Sequence, residues 1–301
     1  MDPVQEESKK PRDTFRARAA LMRSGKSPLQ LAEENEVKIC GWVLRNGFTI
    51  ELVTSILFGN SKSDYCSRLA RRGLLKSTPI PPGYPVSRYY PANNYYTLTD
   101  AGLALALYHD PLITNYPEID PHKVRSATYF HSVLFQVETA FMLCNRTISD
   151  YKTERMLPHG KLQVKIPDGS WLHHSGEWVH VEIENRDFKC ANKLSLFVSG
   201  ILDSLDDGGY KYAMVMTHTQ DIQAHYKSAF KAGEKYFTQW VKDPKGNWIP
   251  KSYSETLIDE VTSRRVMFKT YTSPAIIRKE QRAKNNSKLD LFIMANDLEL
   301  I

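Results

Sequence analysis

Cysteine is scarce in this chain, and its few positions are scattered. Cys40, Cys66, Cys144 and Cys190 form no CxxC pair. Neither a zinc knuckle nor a disulfide framework is therefore indicated, and a reducing cytoplasm fits this usage best. Long apolar runs are missing as well. No stretch reaches the roughly 18 uninterrupted apolar residues of a membrane span, so no transmembrane helix and no membrane insertion are expected. The start, Met1-Asp2-Pro3-Val4-Gln5-Glu6-Glu7, lacks the basic-then-apolar order of a signal peptide. There is no GxxxxGK[ST] phosphate loop and no HExxH helix, which sets aside P-loop and zincin chemistry. Internal repeats and low-complexity tracts are also absent.

The chain has ample core-forming material, 42% hydrophobic over 301 residues, enough for two domains. Lys plus Arg number 40 against 34 for Asp plus Glu. That surplus is mild, but it is concentrated. Residues 9–26 carry Lys9, Lys10, Arg12, Arg16, Arg18, Arg23 and Lys26 against Asp13 alone. Residues 264–288 carry Arg264, Arg265, Lys269, Arg278, Lys279, Arg282, Lys284 and Lys288 against Glu280 alone. Basic ends around a nearly neutral middle point to a polyanionic partner, in competition with the simpler reading of solvated tails.

Residues 1–28 read as a basic arm with one helical piece, Thr14–Arg23. A helix is predicted over Leu29–Arg45, stopped by Gly47. Thr49 is a plausible N-cap for a short helix Ile50–Leu57, and Ser61 or Ser63 for a third, with Tyr65, Cys66 and Leu69 facing inward. Leu74–Ser77 and Asn94–Leu98 read as strands around a Pro/Gly-rich loop, and Thr99 caps a helix through Leu107. The run Arg68-Leu69-Ala70-Arg71-Arg72-Gly73-Leu74-Leu75, followed by Tyr96-Thr97-Leu98-Thr99-Asp100-Ala101-Gly102-Leu103, resembles the winged helix-turn-helix family. The resemblance implies that residues 29–110 bind double-stranded DNA, with Lys62, Arg68, Arg71 and Arg72 on the helix that enters the major groove and Arg88 on the wing. Some winged helices pair only with proteins, which is the competing reading.

Three prolines, Pro111, Pro117 and Pro121, mark residues 111–124 as a linker. Beyond it, Thr128–Leu143 has helical spacing (Phe130, Val133, Leu134, Val137, Phe141), and its His131 is read as a packing or surface histidine. Strands are expected over Asp150–Met156, holding Glu154, and over Lys161–Ile166. Trp178-Val179-His180-Val181-Glu182-Ile183-Glu184 alternates strictly. One face takes Val179, Val181 and Ile183, and the other takes Trp178, His180, Glu182 and Glu184, with the carboxylates about 7 Å apart. The competing reading is an edge strand whose acidic face is solvated. A helix Lys189–Leu205, a strand Lys211–Thr217, a helix Ile222–Trp240 and a strand Val266–Tyr271 complete an α/β pattern.

Pro167-Asp168 followed by Glu182-Ile183-Glu184 resembles the PD-(D/E)XK nuclease pattern, which would place a restriction-endonuclease-like α/β domain at 125–245 and leave 246–301 as a C-terminal extension. With a winged helix in front, residues 35–220 resemble the replication-relaxation and MobC-type relaxase proteins of mobile elements. The resemblance implies nicking or binding of DNA at an origin of transfer or replication in the cytoplasm, alongside other mobilisation or relaxosome proteins. It implies Mg²⁺ or Mn²⁺ held by Asp168, Glu182 and Glu154. Such a metal polarises a scissile phosphate and activates water. The lysine of the pattern, two residues after the second acid, is Glu184 here. Glu184 then stands as a substitute, or Lys193 or Lys189 on the next helix supplies the charge. Without a replacement the domain is a nuclease fold used only for binding, as in a DNA-binding initiator or transcriptional regulator. The 16 tyrosines raise a tyrosine-nucleophile alternative. The clustered histidines it requires are missing, since His173-His174 is a lone pair in an expected loop.

Overall fold

A computed structural model of the chain describes residues 25–59, 64–80, 90, 92–110, 126–157, 165–184, 191–206 and 209–272. The chain is a mixed α/β protein. The basic arm up to Ser24, the Thr14–Arg23 helix within it, the linker and the tail from Ser273 lie outside the described residues.

Helix α1 (Pro28–Asn46) begins at a capping box. Ser27 Oγ accepts from Gln30 N at 3.2 Å, and Ser27 N donates to the Gln30 side chain at 2.8 Å, satisfying two amides that the helix itself cannot. It ends at Gly47, whose φ of 84° is the left-handed conformation that glycine reaches without a Cβ penalty. Helix α2 (Glu51–Leu57) and α3 (Tyr65–Arg71) follow. Neither has the expected side-chain cap. Ile50 and Asp64 occupy the cap positions, while buried Thr49 pairs through its backbone with Tyr96. A bridge to the hairpin has displaced the capping role. Strands β1 (Leu75–Pro79) and β2 (Asn94–Leu98) pair antiparallel, and α4 (Asp100–His109) is capped by Thr99 as expected. Cys66 and Leu69 of α3 are buried against Ile39, Val43 and Tyr96.

Helix α5 (Ser126–Cys144) leads into β3 (Ile148–Thr153), β4 (Gly169–His173), β5 (Trp178–Glu184), α6 (Ala191–Asp206) and β6 (Tyr212–Thr217). The strand expected to hold Glu154 stops at Thr153, and Glu154 opens a 3-10 turn instead. Of the strand expected at Lys161–Ile166, Lys165 and Ile166 are not in a strand and the preceding four residues lie outside the described ones. Helix α7 (Gln220–Ala229) ends far short of Trp240. Gly233, at φ 88°, breaks the helical pattern, and the chain continues into β7 (Lys235–Phe237), β8 (Trp240–Lys242), β9 (Trp248–Pro250), β10 (Glu255–Leu257), α8 (Glu260–Arg265) and β11 (Val266–Thr270).

The main sheet has five strands in the order β11-β6-β5-β4-β3. Strands β3, β4 and β5 form an antiparallel meander, and β5, β6 and β11 run parallel. The fifth strand thus comes from residues 246–301. The sequence Trp178–Glu184 is the central strand, which excludes a solvated acidic edge. Helix α5 covers the Val179, Val181 and Ile183 face. On the other face Phe197, Val198, Ile201 and Leu202 of α6 pack with Ala213 and Val215 of β6.

The first core does not stop at the linker. Trp42, Phe48, Ile50, Val53 and Ile56 share it with Val133, Tyr151 and Trp171. Buried polar bonds fix the same junction. Trp42 Nε1 donates to Gln136 at 2.9 Å, and Asn46 Nδ2 to the Tyr151 hydroxyl at 2.9 Å. Arg45 pairs with Asp150 at 2.6 Å and with Asp110 at 3.2 Å.

Candidate functional site

Strand pairing explains where Asp168 sits relative to β5. Strand β4 begins at Gly169, opposite Val181. Past that point Ile183 of β5 has lost its antiparallel neighbour, yet its backbone groups remain buried. Asp168, directly before β4, takes the vacated position. Its Oδ2 accepts from Ile183 N at 2.7 Å, while His131 Nε2 on α5 lies 2.6 Å from Ile183 O and 3.1 Å from Asp168 Oδ2. Pro167-Asp168-Gly169 is also an ordinary turn sequence, but Asp168 instead bonds to β5 and α5. Burial alone would raise its pKa, but the charges of His131 and Lys165 and the Ile183 amide hold it far below the ordinary carboxylate range. His131, read from sequence as a packing residue, is a partner of the acid, and its own pKa is raised: burial lowers it, and Asp168 more than compensates.

Glu182 lies on the α6 face of β5, fully buried. Lys165 Nζ is 2.6 Å from its Oε2, and His180 Nε2 is 2.6 Å from its Oε1. His180 Nδ1 lies 2.7 Å from the Ser204 hydroxyl, which is also 2.7 Å from Ile201 O. Burial and the Lys165 charge push the His180 pKa down to about 3, keeping the ring neutral. The Glu182 pKa is raised well above the ordinary value, first by burial and then by Asp168. Lys165 stays charged: burial would lower it, but Glu182, Asp168 and Glu184 raise it further.

Lys165 passes α6 at Gly200, where a Cβ would meet the Lys165 Cβ at 2.6 Å. Replacing Gly200 by alanine would gain up to about 1 kcal/mol of helix propensity, but crowding a packed site costs about 1–3 kcal/mol. The crowded atom is the root of the side chain and cannot swing away. Gly200→Ala is therefore expected to lower stability overall, measured as a lower urea midpoint at unchanged slope. A higher midpoint would show that Lys165 yields freely.

Glu184, nearly buried at the end of β5, accepts from the Tyr226 hydroxyl at 3.0 Å. Burial, and next the Glu184 charge, raise the Tyr226 pKa. The Tyr271 hydroxyl, just past β11, is buried without a hydrogen-bond partner among the described residues. Glu154 is exposed, and its backbone N–H, not its carboxylate, meets Asp168, donating to the carbonyl at 3.2 Å. Lys193 is exposed on the first turn of α6, and Lys165 takes the place beside the acids proposed for it. Lys189 lies outside the described residues.

Mg²⁺ and Mn²⁺ prefer oxygen donors, and Mg²⁺ commonly takes one or two protein carboxylates with the rest from water and phosphate. Asp168 and Glu182 supply that minimal number. Among the described residues no three His, Cys, Asp or Glu side chains gather into a metal-holding group, so the expected triple with Glu154 does not form.

Searches of family models, curated proteins and solved structures find no match to this chain. The site therefore rests on its own geometry.

On the expected DNA face, Arg68, Arg71 and Arg72 are exposed on or beside α3, and each already faces an acid. Arg68 is 3.0 Å from Asp64, Arg71 is 3.8 Å from Asp64, and Arg72 pairs with Glu36. Arg68 also stacks over the Tyr65 ring at 4.6 Å. Lys62 and Arg88 lie outside the described residues. Among the described residues, no helix is long and apolar enough to cross a membrane.

Three of the site's residues were not named as site residues from the sequence. His180 was legible, since strand alternation puts it on the Glu182 face. Lys165 stands three residues before Asp168, a spacing that matches no motif position. His131 is placed by helix packing alone.

Proposed function

We propose that the protein is a DNA-binding, metal-dependent phosphodiesterase that nicks DNA at an origin of transfer or replication of a mobile element. In this reading α1–α4 with the β1–β2 hairpin are a winged helix-turn-helix, and α5–β6 are a PD-(D/E)XK core. The carrying observation is that Lys165 pairs with Glu182 on β5, the central strand of the sheet, and that Asp168 lies near enough to interact electrostatically with both. These are the two acids and one lysine that phosphodiester hydrolysis uses, with the lysine reached from before the first acid and not from after the second. Asp168 and Glu182 would hold Mg²⁺ or Mn²⁺, which when bound supplies Lewis-acid polarisation of the phosphate. Lys165 stabilises negative charge that grows on the phosphate oxygens.

A second reading, a DNA-binding initiator or regulator with an inert nuclease-like domain, has its own observation. Both Glu182 oxygens are engaged, one by Lys165 and one by His180, and a cation must displace these contacts before it can bind there.

Metal dependence separates the two. Origin-bearing supercoiled plasmid is expected to relax with Mg²⁺ or Mn²⁺ and to stay supercoiled in EDTA. Tight binding of the same plasmid without relaxation under either metal would reject the enzyme in favour of the regulator.

A further inference from the structure

Among the described residues, the basic surface best prepared for a polyanion is not α3. Strands β8 and β9 form a hairpin with the pairs Trp240↔Pro250, Val241↔Ile249 and Lys242↔Trp248. Its turn is tightly built. Asp243 accepts from Asn247 N at 2.8 Å and from Asn247 Nδ2 at 3.1 Å, Asp243 N donates to Asn247 O at 2.8 Å, and Gly246 adopts φ 83°. Lys245 projects from this turn, exposed. At the base, Trp240 is nearly buried and its Nε1 donates to Phe237 O at 3.1 Å.

The charges differ in kind from those of α3. Lys242, Lys245 and Lys251 form no ion pair with a carboxylate among the described residues. The nearby acids are occupied, Asp243 by its own turn and Glu255 by Lys235 at 2.6 Å. Lys242 lies over the Trp248 ring at 5.1 Å, and Lys251 over the Tyr253 ring at 5.6 Å. Cation–π contact orients an ammonium without neutralising it. The arginines of α3 must first leave Asp64 and Glu36, whereas Lys242 and Lys245 leave no carboxylate, and Lys251 leaves only a neutral amide, Gln239 Oε1 at 3.3 Å. Tyr253 is itself 73% exposed, an apolar ring left beside a cation.

We infer that the β8–β9 hairpin, with Lys251 and Tyr253 beside it, is a DNA-contacting surface whose three lysines engage the phosphodiester backbone. The inference rests on the DNA-binding reading but not on the nuclease one. It assigns the hairpin a positioning role without base specificity, because lysine ammoniums on phosphates carry no sequence information.

The test is a salt titration of affinity for a labelled mixed-sequence duplex and its single strand. Three proteins are compared: the parent, Lys242→Ala/Lys245→Ala/Lys251→Ala, and Arg68→Ala/Arg71→Ala/Arg72→Ala. Each phosphate contact contributes about 0.9 to the slope of log affinity against log salt on duplex and about 0.7 on single strands. The lysine variant is expected to lose about 2–3 of slope and to bind duplex at least tenfold more weakly at low salt, by the same counterion release. Lys245→Glu, a single change on the exposed turn that touches no buried group, is expected to lower the slope as well. It guards against misfolding of the triple variant. Parent-like affinity and slope in both lysine variants, with loss in the arginine variant, would overturn the hairpin surface and leave the DNA-binding reading standing. A parent protein with no salt-dependent binding to either strand form would overturn both.

Discussion

Lys165→Met is expected to slow cleavage of supercoiled DNA by about 100-fold or more, the usual scale for losing one charge-stabilising group. Asp168→Ala and Glu182→Ala are expected to abolish it. Binding should be nearly unchanged in all three, because these groups lie under α6 and at the end of β5, away from the exposed arginines and lysines. Methionine keeps the unbranched stem that passes Gly200 and removes only the ammonium. Lys193→Ala is the control. Its exposed position on the first turn of α6 predicts parent-like cleavage, although the sequence alone nominated it for this role. Parent-rate cleavage by Lys165→Met, with Lys193→Ala impaired, would return the role to the helix. Gel assays of relaxation alongside fluorescence anisotropy separate turnover from binding.

The second large effect is on stability. Glu138 is fully buried on α5, where its carboxylate accepts from Thr272 N, from Thr272 Oγ1 at 2.9 Å and from Lys269 Nζ at 3.1 Å. These contacts bind the end of β11, the sheet's edge strand, to the helix across the sheet. Tyr90 from the first segment reaches the same place, its hydroxyl 3.5 Å from Thr272 O. Glu138→Ala leaves the buried Thr272 amide without an acceptor and the Lys269 ammonium without its carboxylate, keeping only the Lys269 Nζ to Thr272 Oγ1 bond at 3.1 Å, which costs about 3 kcal/mol or more. Glu138→Gln keeps the shape and one acceptor and should cost less. Urea unfolding at neutral pH measures both. A midpoint unmoved by Glu138→Ala would mean that β11 is held by its ladder with β6 alone.

The expected elements with strong periodicity were found at nearly the expected places. The Gly47 stop, the Thr99 cap, the α5 stripe and the β5 alternation are local features, written in residues two to four apart. The misread elements were those where a distant segment competes for the same groups. Thr49 has cap chemistry, but its backbone is claimed by Tyr96. Ile222–Trp240 continues a plausible helical pattern past Ala229, but Lys235–Phe237 finds a strand partner at Glu255–Leu257. Nothing near Trp240 in sequence announces that pairing.

The sequence by itself determined that Glu182 and Glu184 share one face of a strand and that residues 29–110 combine helices with a hairpin; it put a strand before Asp168 and missed the one that follows it, Gly169–His173. Strand alternation and capping are short-range, so a single chain read in order suffices. Tertiary structure alone decided which face is solvent and which is core. It placed the acid strand at the centre of five, making its carboxylates buried groups that need a cation or a proton. It brought Lys165 to Glu182, His131 to Asp168, and Asp64 and Glu36 to the arginines of α3. Long side chains reach several ångströms in directions set by packing, so their partners are fixed only when helices and strands are stacked together.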